Sequence, residues 1–425
     1  MRYPQITNHT TVCCAPTCRA CGYHGPCLRW AQPELSTIHR SYYCYQHVSE
    51  HYQQPPHEAH IMKFRIERDE FNEALSDVSR VATARTSAMP ALAGVELAVS
   101  GDTLTLSCTD KELSIQTTLA IGGQKDGVVV PTARIITELV RGLPDGKVQV
   151  ALEGESLIVE AGRNRSSVLC YAANDFPKII QASAPEGKMS AAVFGDALRQ
   201  VVRAASADAS RLALTGVLIS NQPEGLTFVA TDSYRLAVRQ ISGTALAGES
   251  SVIIPARALG ELLRLIKDHD TITYRLASDR ATFGVGNTML STALLAVQFP
   301  NYKQLIQPSY PNKLSVNREA LLDAVRRSKV FARDNIPVRL TQSSGSLKLS
   351  VHTQDTGETI EELDADYKGP ELTIGFNPDY LMQGIDACAG ETISIESSEA
   401  IKPAVLRGST NDGYLYLVMP QRLTS

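Results

Sequence analysis

In the stretch KFRIERDEFNEALSDVSRVA, Phe71, Ala74, Leu75, Val78 and Val81 fall at the spacing of one helix face, which predicts a helix fed by a short strand. Next, VELAVSGDTLTLSCTD alternates apolar and polar residues around a Gly-bearing turn and predicts two antiparallel strands. A further strand leads into a second helix near Pro131, where proline suits the first helical turn. Then KVQVALEGESLIVEAG supplies another strand pair that turns at Glu-Gly.

The same order of elements is written twice more. Leu75 and Val78 recur as Leu198 and Val201 and again as Leu322 and Val325, at steps of 123 and 124 residues. Thr109 of LTLSCTD recurs as Thr231 of LTFVATD and Thr353 of LKLSVHT, two steps of 122. Pro131, Pro255 and Pro378 mark the second helix of each copy, and Phe176-Pro177, Phe299-Pro300 and Met419-Pro420 close them. Chance similarity does not hold register across four landmarks. The pattern predicts an α+β fold of three repeated domains at 62–182, 183–309 and 310–425, each with two helices on one face of an antiparallel sheet.

Residues 1–61 differ in kind. They hold six of nine cysteines, seven of nine histidines and Trp30, with no lysine. They show neither an apolar signal core nor a sustained period, so they read as a disordered extension or an appended leader, with Met62 as the natural start. Cys13, Cys14, Cys18, Cys21, His24 and Cys27 are soft metal ligands, but they contain only one CxxC pair, and no metal site is assigned. Cys108, Cys170 and Cys388 stand alone in apolar surroundings, as reduced core thiols do.

The chain carries 41 basic against 45 acidic residues, and the extension takes four of the former and three of the latter. An overall negative protein does not coat DNA with its whole surface, so attraction to phosphate must come from local patches. Basic residues do recur on the helices, at Arg80, Arg85, Arg134 and Arg141, then Arg199, Arg203, Arg257, Arg264 and Lys267, then Arg326, Arg327, Lys329 and Arg333. Any one of these reads as an ordinary solvated side chain; their recurrence on equivalent elements points to a phosphate-facing surface. No run of 18 apolar residues is present to span a membrane.

Candidate chemistry is sparse. The triplicated part has two histidines, His269 and His352, and neither a phosphate loop nor a dinucleotide fingerprint, so no catalytic, metal or cofactor residue is assigned. Asp110 and Asp232 follow equivalent threonines, and this placement reads as turn hydrogen bonding rather than a carboxylate pair.

Four segments, MKFRIERDEF, ATDSYRLAV, FPNY and YLVMPQRL, closely resemble the bacterial sliding clamps, the beta subunits of DNA polymerase III, and the likeness runs from Met62 to Leu423. The resemblance implies a head-to-tail homodimer whose six domains ring double-stranded DNA. The helices would line the hole and attract phosphate without reading sequence. It implies a non-catalytic processivity factor that acts in the cytoplasm at the nucleoid. Its implied partners are the polymerase III catalytic subunit, the clamp loader, and other polymerases and repair proteins bound through linear motifs.

Matched positions imply a partner-peptide pocket at Leu214, Thr231, Tyr234, Arg235, Leu236, Pro300, Leu305, Asn377, Tyr380, Ile401, Pro403, Val418, Met419, Pro420 and Arg422. Ser233, Tyr234 and Gln304 depart from residues common in the family. The implied DNA-facing set is Arg85, Arg141, Arg203, Arg211, Arg264, Lys267, Arg326 and Lys329. Arg163, Arg165 and Val168 of one subunit would meet Val330, Phe331, Glu358, Glu361 and Glu362 of the other, with Ser166 standing where an aromatic is common. Two other readings stay open: a specialised clamp paralogue giving inhibitor resistance, and a catalytic or ligand-binding α+β repeat protein using Asp110, Asp232 or an interdomain cleft.

Overall fold

The computed structural model describes residues 62–83, 89–247, 250–332, 336–353, 357–410 and 413–423. The cysteine-rich extension, Arg85 and Arg333 lie outside the described residues.

The first copy runs β1 (Lys63–Glu67), α1 (Arg68–Val78), β2 (Glu96–Ser100), β3 (Thr103–Thr109), β4 (Leu113–Ala120), β5 (Gly122–Lys125), β6 (Gly127–Pro131), α2 (Ala133–Arg141), β7 (Lys147–Glu153), β8 (Ser156–Ala161) and β9 (Asn164–Tyr171). The second runs β10 (Glu186–Ser190), α3 (Ala191–Val201), β11 (Gly216–Gln222), β12 (Gly225–Thr231), β13 (Arg235–Ser242), β14 (Ser251–Pro255), α4 (Ala256–Leu265), β15 (Thr271–Leu276), β16 (Arg280–Val285) and β17 (Thr288–Ala293). The third runs β18 (Asn312–Asn317), α5 (Arg318–Lys329), β19 (Val338–Ser343), β20 (Ser346–Thr353), β21 (Gly357–Lys368), β22 (Leu372–Phe376), α6 (Pro378–Ala387), β23 (Thr392–Ser397), β24 (Ala404–Gly408) and β25 (Tyr414–Val418).

The repeat is therefore structural. Leu75, Leu198 and Leu322, with Val78, Val201 and Val325, are all buried on the first helix of their copies. Two details depart from the sequence expectation. The second copy divides its strands between two sheets instead of building one, β10 and β15–β17 continuing the sheet of the first copy and β11–β14 that of the third, and its first helix packs against strands of both. One apolar helix face is wide enough to cover the inner side of two sheets. The landmark prolines also differ in role: Pro378 occupies the first turn of α6, whereas Pro131 ends β6 and Pro255 caps α4.

Sheets run on from copy to copy. β4 pairs antiparallel with β17, joining the first copy to the second, and β13 pairs with β25, joining the second to the third. Both ladders bury polar backbone that would otherwise be an exposed edge. Side chains reinforce them at the helix level: Arg80 Nε lies 2.6 Å from Glu261 Oε2 across the first junction, and Arg203 Nη1 lies 3.0 Å from Asp386 Oδ2 across the second. Arg80 and Arg203 are repeat equivalents, so these are one strut used twice.

Candidate functional site: a groove at the junction of the second and third copies

At the β12–β13 turn the chain passes through Thr231, Asp232, Ser233, Tyr234 and Arg235. Thr231 Oγ1 donates to Arg235 O at 2.6 Å and accepts from Ser233 N at 3.1 Å, while Asp232 Oδ1 accepts from Tyr234 N at 2.9 Å and Arg235 N at 3.0 Å. The first copy repeats this network. Thr109 donates to Leu113 O at 3.0 Å, and Asp110 accepts from Glu112 N and Leu113 N at 3.0 and 2.8 Å. Both carboxylates are turn formers, as the sequence suggested. The turn forces its third residue into the left-handed region, with Lys111 at φ +82° and Ser233 at φ +79°, a conformation that costs a non-glycine residue on the order of 1 kcal/mol.

Arg235 is buried where the copies meet. Its Nε lies 3.0 Å from Asp232 Oδ2, its other nitrogens donate to Gln383 Oε1 and Arg203 O, and its Cζ sits 4.5 Å from the centre of the Tyr380 ring. Tyr380 stacks in turn on Tyr234, with centroids 6.3 Å apart and planes 21° from parallel. Tyr416 fixes the column from below, its hydroxyl donating to Tyr380 O at 2.9 Å, and burial pushes that phenol's pKa up. Asn377 caps α6, its Oδ1 accepting from Asp379 N and Tyr380 N at 2.9 and 3.2 Å. Sequence reasoning named Tyr234, Arg235, Asn377 and Tyr380 for this groove but missed Tyr416 and Gln383, which only the packing of α6 brings into the column.

The remaining pocket positions separate by depth. Leu214, Thr231, Leu236 and Val418 are buried, so they form the floor and walls. Val418 faces the helix-side core, whereas Leu236 belongs to a second cluster on the outer face of the sheet with Val229, Val405, Leu415 and Leu417. That alternation follows from the two-residue period of a strand. Pro403, Met419 and Pro420 are half-buried, and Pro300, Leu305, Ile401 and Arg422 are exposed, Ile401 at 77% and Leu305 at 42%. Beside the outer cluster lies a cleft of about 630 Å³ lined by Leu218, Val252, Ile253 and Phe299. The whole makes an apolar surface with a few fixed polar groups, the character of a peptide-docking groove.

Family models match the chain end to end beyond the extension: the DNA polymerase III beta subunit N-terminal domain over residues 62–180, the central domain over 188–301 and the C-terminal domain over 303–422. The beta sliding clamp of Synechococcus elongatus is 33% identical over 376 residues, covering 86% of this chain and all of that protein. That of Streptomyces coelicolor is 29% identical, covering 85% and all of it. A DnaN sliding clamp from Bartonella birtlesii, solved bound to griselimycin, superposes with a TM-score of 0.81 at 28% identity over 86% of this chain and the whole of that one.

The chain belongs to the DNA polymerase III beta subunit family. It is a sliding clamp of DNA replication, and a beta clamp is a processivity factor rather than an enzyme.

In this beta clamp the basic residues matched for DNA have unequal freedom. Arg203 is the strut to Asp386, Lys329 pairs with Asp379, Arg326 lies 2.9 Å from Asp323, and Arg264 lies 3.7 Å from Glu261, which Arg80 already holds. Arg211 donates to Asp232 O at 3.0 Å. Arg141 and Lys267 are exposed and make no ion pair among the described residues.

The residues matched for the dimer seam lie on or beside two strand edges, with Val330 and Phe331 just past the end of α5. On β9 of the clamp's first copy, Arg165 bonds Glu153 and Glu160 of its own copy at 2.9 and 3.0 Å and Val168 is already buried, while Arg163, in the turn just before β9, is exposed without an ion pair among the described residues. On β21 of the third copy, Arg327 holds Glu361 through two 2.6 Å bonds, keeping its carboxyl below the usual range, and Glu362 accepts from Ser346 Oγ at 2.7 Å. Glu358 lies 3.5 Å from His352, while Val330 is 66% exposed next to half-buried Phe331. Leu169 and Ile360, which the sequence reading left out, stand exposed at 74% and 56% on these same edges.

Proposed function

We propose that two copies of the chain close head to tail into a six-domain ring around double-stranded DNA, with domains at 62–182, 183–309 and 310–425 of each. The groove tethers the polymerase III catalytic subunit, the clamp loader, and other polymerases and repair proteins through short linear segments. The ring works in the cytoplasm at the nucleoid.

What carries the ring reading is one junction made twice and left half-made at both ends. In repeat register, β4, β13 and β21 are equivalent, as are β17 and β9. β4 and β13 each have a partner from the next copy, while, among the described residues, 357–364 of β21 bond only β20 on one side, and β9 meets only β8 and two residues of β6. A second chain supplies both missing strands, and two such contacts about a twofold axis close the ring and leave no free edge at the seam.

The internal junction also supplies a register. Gly162 and Gly286 make matching turns at φ +60° and +57°, so a step of 124 carries Leu290 onto Ser166 and Asn287 onto Arg163. Two steps of 122 carry Ile115 onto Thr359 and Thr118 onto Glu362. Since Leu290 pairs with Ile115 and Thr118 N donates to Asn287 O, the seam sets Ser166 against Thr359 and Arg163 against Glu362.

The test is topological. The purified clamp, loaded onto closed circular DNA, stays bound through a sizing column and is lost once the circle is cut; equal loss from circle and linear DNA removes the ring. For the groove, truncation before Met419 abolishes binding of a polymerase-derived peptide and leaves the dimer intact, and unchanged peptide affinity removes the assignment.

A further inference from the structure

Tyr234 is mounted as firmly as a core residue, yet its side chain is open. Its N–H is held by Asp232 and its carbonyl accepts from Met419 N at 2.8 Å, so both neighbouring copies fix its backbone. One ring face rests on Tyr380, which itself rests on the Arg235 guanidinium, and Asp232, Gln383 and the Arg203 carbonyl lock that guanidinium in turn. Despite these contacts Tyr234 remains 57% exposed beside the half-buried Met419. The first copy builds the same turn but places the exposed Glu112 at this position, so the turn does not need an aromatic residue there.

We propose that Tyr234 is a stacking platform, through which the groove selects partner segments that lay an aromatic side chain over its open face; this rests on the groove reading above. A ring already fixed on its far side loses little further freedom when a second ring lands on it. Offset stacking adds to simple apolar burial, enough for roughly a two- to tenfold preference over a non-aromatic side chain of equal size. The guanidinium at the foot of the column makes the open face a poor seat for Lys or Arg, because its positive charge opposes a second cation over the same stack.

The experiment uses the full chain and a fluorescein-labelled peptide from the C-terminus of the polymerase III catalytic subunit. Phe, cyclohexylalanine or Lys is placed in turn at each apolar position of that peptide. At one position Phe binds about two- to tenfold more tightly than cyclohexylalanine, and Lys binds worst. Tyr234→Leu brings the Phe-to-cyclohexylalanine ratio to about one, Tyr234→Phe keeps it, and both variants sediment as wild type. Equal binding of the Phe and cyclohexylalanine peptides at every position, or a preference that survives in Tyr234→Leu, overturns the platform and leaves the groove standing. Failure of every peptide to bind the wild-type chain overturns the groove and the platform together.

Discussion

Leu290 of β17 lies directly opposite Ile115 of β4, and both side chains are buried where the first copy meets the second. At the proposed seam their equivalents are Ser166 and Thr359, so the same backbone ladder there carries two hydroxyls in place of two aliphatic groups. The seam is thus less apolar at this layer than the junction of the first and second copies. Ser166→Leu with Thr359→Ile restores an aliphatic pair at each of two seams, and each added side chain contributes on the order of 1 kcal/mol or more. The dimer's dissociation constant in sedimentation should fall by about tenfold or more. No tightening would mean that these two positions do not face each other.

Arg163 and Arg165 should differ when reversed in charge. Arg165 is already neutralised by Glu153 and Glu160, whereas Arg163 has no such partner among the described residues and falls opposite Glu362 in the seam register. Arg163→Glu sets like charges across the ladder and should weaken the dimer several-fold at low salt. The loss should shrink as salt rises, and Glu362→Arg in the same chain should restore the dimer. If Glu362→Arg gives no rescue, the register is wrong by at least one residue pair.

Much of this architecture was legible because the repeat is strict where burial enforces it. Leu75, Leu198 and Leu322 could be aligned by eye, since each must fill the same core position. The Thr-Asp turn was equally readable, because its two side chains satisfy backbone groups only at fixed offsets. The division of the second copy between two sheets was not, since alternation tells which face of a strand is buried and is silent on which strand lies beside it. The role of Arg203 was hidden for a related reason. A basic residue at a helix end looks the same in sequence whether it meets phosphate or, as here, Asp386 of the next copy.

The two turn aspartates should prove structural and unequal. Asp232 is buried with Arg235, so Asp232→Ala leaves a guanidinium uncompensated inside the junction, a change that costs about 3–5 kcal/mol. Asp110 shares its other oxygen with the exposed Arg257, and Asp110→Ala should cost only about 1–2 kcal/mol, mainly through lost turn bonds. Calorimetry of the two variants reads the difference directly. Equal melting behaviour would mean that Arg235 finds other compensation when its carboxylate is removed.

Salt dependence distinguishes cations that face phosphate from those that hold the protein together. Arg141 ends α2 and Lys267 follows α4, both exposed and without an ion pair among the described residues, so each is available to displace a counterion from DNA. Arg141→Ala or Lys267→Ala should each lower the slope of log affinity against log salt by about 0.9 on duplex DNA. Arg203→Ala should leave that slope unchanged, because its charge is spent on Asp386, and should instead lower the melting temperature of the second-to-third junction. A slope change for Arg203→Ala as large as that for Arg141→Ala would show that the strut opens and that Arg203 turns to the phosphates when DNA is present.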